Sequence, residues 1–237
     1  MLHGPQRELV ALSFSLPAVC ARQVEDSSTQ IGLVPVAEVA RQRLEIVPGV
    51  GISCLGRVRS IVLFSQVPFR QIRTLAADSG SRTSVQLARV ILRERYGVEP
   101  QIAAISPDLP AMMERADAAL IIGDPALRIQ PEKTPYAWLD LGEEWFRLTQ
   151  LPMVFALWAG KAPLPISELS DLTRQSYKFG EANLTQIVAS EFAQRGISLE
   201  LADEYLRRYI RFEIGPREQH GLETFFELAG LTEGVRL

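Results

Sequence analysis

The sequence predicts an α/β protein folded as two lobes, with a helical carboxy-terminal region. Three features point there. Short apolar runs alternate with amphipathic helical stretches through the first two thirds of the chain, a rhythm that builds βαβ units around a mostly parallel sheet. The runs themselves, such as "AALII" at 118–122, are apolar throughout, as strands covered on both faces are. From "LPISELSDL" onward the texture turns helical, punctuated by Gly180, Gly196 and Gly215.

Taken in order, "ELVALSFS" (8–15) predicts a strand and "PAVCARQVE" (17–25) a short helix. "TQIGLVPVAEVARQ" (29–42) gives a strand ending at Pro35 and a helical turn around Glu38. The Val- and Ile-rich "EIVPGVGISCLGRVRSIVLFSQ" (45–66), with Gly49, Gly51 and Gly56, predicts β structure with bends. "TLAA" (74–77) is a strand and 84–96 a helix. "QIAAIS" (101–106) is a strand, "DLPAMMERA" (108–116) a helix, "AALIIGD" (118–124) a strand and "PMVFALWAG" (152–160) one more. Helices follow at 166–178, 181–195, 199–211 and 218–229. In the economical packing the chain crosses between lobes near 60–70 and returns near 152–160. This assigns 1–68 and 155–237 to lobe I and 69–154 to lobe II, with a cleft between them of the kind that holds ligands.

Composition narrows the function. The chain has 237 residues, with 25 Lys and Arg against 28 Asp and Glu, a net charge of −3. That balance leaves no basic footprint for nucleic acid, so an anionic ligand has to be held by local donors rather than by a long-range field. Cys20 and Cys54 have no metal-ligand spacing and are expected to stay reduced. His3 and His220, near opposite ends, argue against a histidine-built metal centre or a Ser-His-Asp site. No apolar run approaches the ~18 residues of a membrane span. Ser13, Ser15 and Pro17 interrupt "LVALSFSLPAV", which reads as mature cytoplasmic protein rather than a signal peptide.

The stretch "LAADSGSRTSVQLARVILRERYG" (75–97) stands out. Thr83 as N-cap with Gln86 three residues on fits a capping box. Leu87, Ala88, Ile91 and Leu92 form the buried stripe, Arg89, Arg93 and Glu94 face outward, and Gly97 ends the helix. Capping explains one hydroxyl. It does not explain Ser79, Ser81 and Ser84 together with Gly80 and Arg82, a set suited to an anion or carboxylate at a helix start. Gly123 and Asp124 fall at the carboxyl end of a strand, where open α/β sheets bind ligands, although Gly-Asp-Pro is good turn chemistry and taken alone reads as a tight turn. Ser60, on a crossing strand, either faces the cleft or belongs to a bulged edge strand. Glu143 and Glu144 read as a helix first turn, and "YLRRYIRFEIG" (205–215) as a solvated helix face.

In this order along the chain, "IGLVPVAEV", "GISCLGRVRSIVLFS", "DSGSRTSVQLARVIL", "DAALIIGDPALR", "DLGEEWFRLTQLPMVFALWAG" and the helical tail resemble the chorismate dehydratase family of menaquinone biosynthesis by the futalosine route. The resemblance implies a type II periplasmic-binding-protein fold turned to catalysis. The reaction it implies is a hydro-lyase step that removes water from chorismate to give 3-(1-carboxyvinyloxy)benzoate, without metal or organic cofactor. It further implies that Ser81, Thr83 and Ser84 bind a carboxylate of this dicarboxylate substrate, with Arg82 beside them. Ser60 would lie on the cleft wall, and Gly123 and Asp124 at the opposite mouth. That family assigns the base to the substrate's own enolpyruvyl carboxylate, helped by an Asn in a Tyr-Leu-Asn-like opening motif. No Asn precedes Asn183 here, so the catalytic position is left unassigned and a further lobe I strand upstream is expected. The rival expectations are the 1,4-dihydroxy-6-naphthoate-forming cyclase of the same pathway and a non-catalytic domain that binds a small carboxylate.

Overall fold

The computed structural model describes residues 3–77 and 82–232. Its amino-terminal segment departs from the sequence expectation: Pro5–Leu9 forms a 3-10 turn, and residues 10–16 are irregular. The pattern of "ELVALSFS" suits a strand, but a strand exists only against a partner edge. Among the described residues none pairs with it, and Leu9, Phe14 and Leu16 stay exposed.

From Pro17 the expected elements follow. Helix α1 (Pro17–Glu25) begins with a proline where the missing N–H costs nothing. Strand β1 (Ile31–Pro35) runs directly into helix α2 (Val36–Gln42), which Arg43 closes in the left-handed region at φ 56°. Strand β2 (Glu45–Cys54) is irregular around its glycines, and residues 55–60 carry the chain to β3 (Ile61–Ser65), buried at every position. Then come β4 (Thr74–Ala77) and α3 (Arg82–Ile91), which widens into a π turn over Leu92–Tyr96 before Gly97 ends it. The stripe Leu87, Ala88, Ile91 and Leu92 is buried and Arg89, Arg93 and Glu94 are exposed, as the 3.6-residue period requires. Next are β5 (Gln101–Ala104), α4 (Leu109–Met113), β6 (Ala118–Ile122), α5 (Asp124–Arg128), β7 (Ala137–Asp140), α6 (Leu141–Thr149) and β8 (Met153–Gly160). The tail holds α7 (Ile166–Ala182), α8 (Leu184–Glu191), α9 (Leu199–Glu204), β9 (Arg211–Glu213) and α10 (Pro216–Ala229).

Two sheets result. The first has the order β1-β8-β2-β9 and every pairing is antiparallel; Leu33 sits opposite Trp158. The second has the order β5-β4-β6-β3-β7, with β4 parallel to β5 and β6, and β3 antiparallel to β6 and β7. The mostly parallel sheet expected from the sequence is therefore corrected. Strands pair parallel where α3 or α4 carries the chain back over the sheet, and antiparallel elsewhere. The helix expected over 199–211 also gives way: its end peels off as β9 to pair with Val50 and Ser53 of β2. Strand β3 belongs to the second sheet, so the outward crossing lies between Cys54 and Ile61.

One hydrophobic cluster spans both sheets, from Leu157 and Val154 to Leu63 and Leu87. Trp145 of α6 meets Phe225 of α10 edge-on, ring centroids 6.0 Å apart, and donates to the Pro152 carbonyl at 3.1 Å. Helix α10 packs so closely there that a Cβ on Gly221 would lie 2.1 Å from the Pro152 oxygen.

Asp140 fixes the crossing. Its carboxylate, 2% exposed, accepts from the amides of Val58 (3.0 Å) and Arg59 (2.6 Å) on the crossing segment. It also accepts from Gly142 (3.0 Å) and Glu143 (3.1 Å) at the start of α6. Burial pushes this carboxyl above its ordinary value, while the amides of Val58, Arg59 and Glu143 work to lower it. The bonds hold Arg59 in the left-handed region, φ 69°; its guanidinium donates to the carbonyls of Ala126 (3.2 Å) and Ile129 (2.8 Å). With a net worth of about 1 kcal/mol per hydrogen bond and a penalty for each amide left buried and unpaired, Asp140→Ala is expected to cost about 3 kcal/mol of stability. Asp140→Asn is expected to fall between that variant and the parent. Urea unfolding midpoints check both.

Candidate functional site

The described end of the hydroxyl-rich segment, Arg82 to Ser84, opens α3 beside the start of α2. Ser79, Gly80 and Ser81 lie outside the described residues. Helix α3 begins at Arg82, which places Thr83 within the first turn and corrects the expected N-cap. The reason is a competing partner: Thr83, 2% exposed, accepts at Oγ1 from the Ala37 amide, 3.1 Å away. Helix α2 follows Pro35 and has no side-chain cap of its own, so its early amides need outside acceptors. Thr83 thus caps a helix from the other sheet's lobe rather than its own.

Arg82 reinforces the junction. Its Nη1 lies 2.8 Å from Oε1 of Glu38, which is 4% exposed. The other carboxylate oxygen of Glu38 takes Arg41 Nε at 2.9 Å and Gln42 Nε2 at 3.1 Å. Burial works to raise the Glu38 pKa, but the hydrogen bonds from Arg41 and Gln42 and the charges of Arg41 and Arg82 prevail and hold it below its ordinary 4.5. Ser84 is buried in the same turn. Beside these groups lies a cavity of about 310 Å³, reached by Ala77 and Ala104 at the carboxyl ends of β4 and β5 and by Ala37, Glu38, Arg82 and Gln86. Its place outside the carboxyl ends of parallel strands is where α/β sheets take ligands.

A second group gathers Ser60, Gly123 and Asp124. The Gly123 amide donates to the Ser60 carbonyl at 2.7 Å. Gly123 adopts φ 70°, ψ −145°, a conformation strained for any residue with a side chain, and a Cβ there would meet no atom within 4 Å. Asp124 opens α5 and pairs with Arg195 Nη1 at 3.5 Å. Ser60, 4% exposed, accepts at Oγ from the Tyr205 hydroxyl at 2.9 Å. The structure thus brings Arg82, Thr83 and Ser84 together at one corner, and Ser60, Gly123 and Asp124 together at another.

Three residues that matter here were not singled out from the sequence. Glu38 and Asp140 carry no motif; each is recognised only through partners distant in the chain. Tyr205 was hidden in a stretch with the charge pattern of a solvated helix face. A larger cavity, about 880 Å³, lies against the first sheet between Leu33, Ile52 and Trp158 and the tail residues Tyr177, Leu184 and Leu206, and none of the expected site residues that are described lines it. No group of three His, Cys, Asp or Glu that could hold a metal occurs among the described residues, and no helix there is long and apolar enough to cross a membrane.

A family model described as menaquinone biosynthesis matches residues 5–230. A chorismate dehydratase from Thermus thermophilus is 29% identical over 204 residues, covering 79% of this chain and 74% of its own. Among solved structures, a protein from Archaeoglobus fulgidus matches with a TM-score of 0.69 at 18% identity, over 90% of this chain and 83% of that one. An ABC transporter protein from Parabacteroides distasonis matches at 0.57 and 13%, over 93% and 82%. These structures share the fold, the two-lobed α/β architecture of periplasmic binding proteins.

The depressed Glu38 pKa fixes the sign of a pH effect. A carboxyl whose folded pKa lies below its unfolded value adds stability above the unfolded value, and that stability is lost as pH falls through the folded pKa. Glu38→Gln is therefore expected to flatten the fall in stability between about pH 5 and pH 3. Urea titrations of parent and variant at both ends of that range measure it; parallel curves would contradict the role assigned to the ion cluster.

Proposed function

The chain belongs to the menaquinone-biosynthesis family, and from that premise we propose that it is a chorismate dehydratase, a hydro-lyase converting chorismate to 3-(1-carboxyvinyloxy)benzoate. The similarity to the Thermus thermophilus chorismate dehydratase supports the substrate. The observation that carries the reading is the meeting of two helix starts from opposite lobes, with the Ala37 amide on Thr83 Oγ1. Early helix amides and a partial positive charge converge there, which suits one carboxylate of a dicarboxylate.

The chemistry asks for placement more than for a strong acid or base. Loss of the ring hydroxyl and the neighbouring proton yields an aromatic ring, so the product's stability drives the step. A site that fixes the ring relative to its own carboxylate makes proton removal intramolecular, and well-oriented intramolecular reactions gain several orders of magnitude. In this reading the start of α3, with Ser81, Thr83 and Ser84, holds a carboxylate. Arg82 balances Glu38 rather than adding net charge. Gly123 gives the substrate close approach to the backbone, and Asp124 accepts a hydrogen bond from a substrate hydroxyl.

Purified protein incubated with chorismate is expected to shift the ultraviolet absorbance to that of a benzoate. Thermal stabilisation by chorismate without product would support a carboxylate-binding domain instead. Thr83→Ala combined with Ser84→Ala is expected to weaken chorismate binding at least about tenfold, since a hydrogen bond to an ionised group is worth about 1.5–3 kcal/mol. Unchanged binding in the double variant would remove the anion assignment.

A further inference from the structure

The tail stretch "YLRRYIRFEIG" has the charge pattern of a helix face turned to water, yet its first residue points the other way. Helix α9 widens at Tyr205 into a π turn over Tyr205–Tyr209, a local irregularity that recurs at functional sites. Arg207 and Arg208 remain exposed on that turn, whereas Tyr205 is partly buried with its hydroxyl on Ser60 Oγ, 145 residues away in the chain. A helix of regular pitch gives no sequence signal for this.

We propose that Tyr205 is a positioning residue of the substrate site, setting the Ser60 hydroxyl so that its one proton is available to an acceptor oxygen of the ligand. This rests on the dehydratase reading and extends it to the tail. A serine hydroxyl has one donor and two acceptor sites. With an acceptor site taken by the phenol, the remaining proton is free for a carboxylate or ether oxygen. The phenol is suited to that fixed role, because burial raises its pKa and it stays protonated. Gly123, whose amide donates to the Ser60 carbonyl, has no atom within 4 Å of where a Cβ would stand, so the backbone beside this pair is not covered by a side chain.

The tail is clamped to the second lobe on the flank of the same site. Arg128 of α5 donates to the Arg195 carbonyl through Nε at 2.8 Å and Nη2 at 2.6 Å, and Arg195 in turn pairs with Asp124. The fit depends on Gly196, whose φ is 65° and whose Cβ would stand 3.1 Å from Arg128 Nε. The tail therefore reaches the lobe II side of the cleft as well as the first sheet, and it delivers Tyr205 to the segment where the chain crosses between lobes.

Tyr205→Phe removes the hydroxyl and keeps the ring. It is expected to raise the KM for chorismate about fivefold, to leave kcat within about twofold, and to leave the melting temperature close to the parent's. Ser60→Ala is expected to raise KM at least as much, and the double variant to be no worse than Ser60→Ala alone, because the two groups act as one unit. A Tyr205→Phe enzyme with the parent's KM, or effects of the two substitutions that simply add, would overturn the assignment. A parent protein that responds to chorismate in neither absorbance nor thermal stability would overturn the dehydratase reading, and this inference with it. A parent that turns over chorismate while Tyr205→Phe matches it would overturn the role of Tyr205 alone.

Discussion

The bond between the Ala37 amide and Thr83 Oγ1 joins two helix starts that belong to different sheets. Each helix leaves its first amides without partners inside the helix, and each therefore seeks acceptors outside it. Bringing the two starts together lets a side chain of one helix serve an amide of the other. Thr83 supplies one acceptor. Beside it Glu38 is shared between Arg82 and Arg41, so the charges at this corner are joined in one ion cluster.

That corner keeps its geometry only if the lobes keep their relation. Asp140 gathers four amides from the crossing segment and the start of α6, and Arg59 reaches on to the carbonyls around α5. The apolar cluster that runs from β8 through Trp145 and Phe225 to α3 fills the space between sheets. On the other flank, the Arg128, Arg195 and Asp124 contacts tie the tail to α5. Buried carboxylate, shared core and tail clamp thus all hold the same two bodies together.

Much of this was legible in the residues. The period of Leu87, Ala88, Ile91 and Leu92 fixed the buried side of α3, Pro35 marked the junction of β1 with α2, and the apolar "AALII" marked a fully covered strand. Strand direction was not legible, because an apolar run reads the same whether its neighbour is parallel or antiparallel. "ELVALSFS" has a strand's pattern but no edge to pair with among the described residues. Thr83 has a cap's chemistry, yet the amide it serves lies 46 positions earlier, and no local rule identifies such a partner. Tyr205 escapes the sequence for a similar reason: a π turn changes which way a side chain faces without changing the composition around it.

A crystal structure of the protein with chorismate or its benzoate product bound tests the account most directly. A carboxylate oxygen is expected within hydrogen-bonding distance of the first-turn amides of α3, with the ring lying between that corner and Gly123. A ligand seated instead in the cavity against Trp158 and Tyr177, with the start of α3 unchanged and unoccupied, would contradict it.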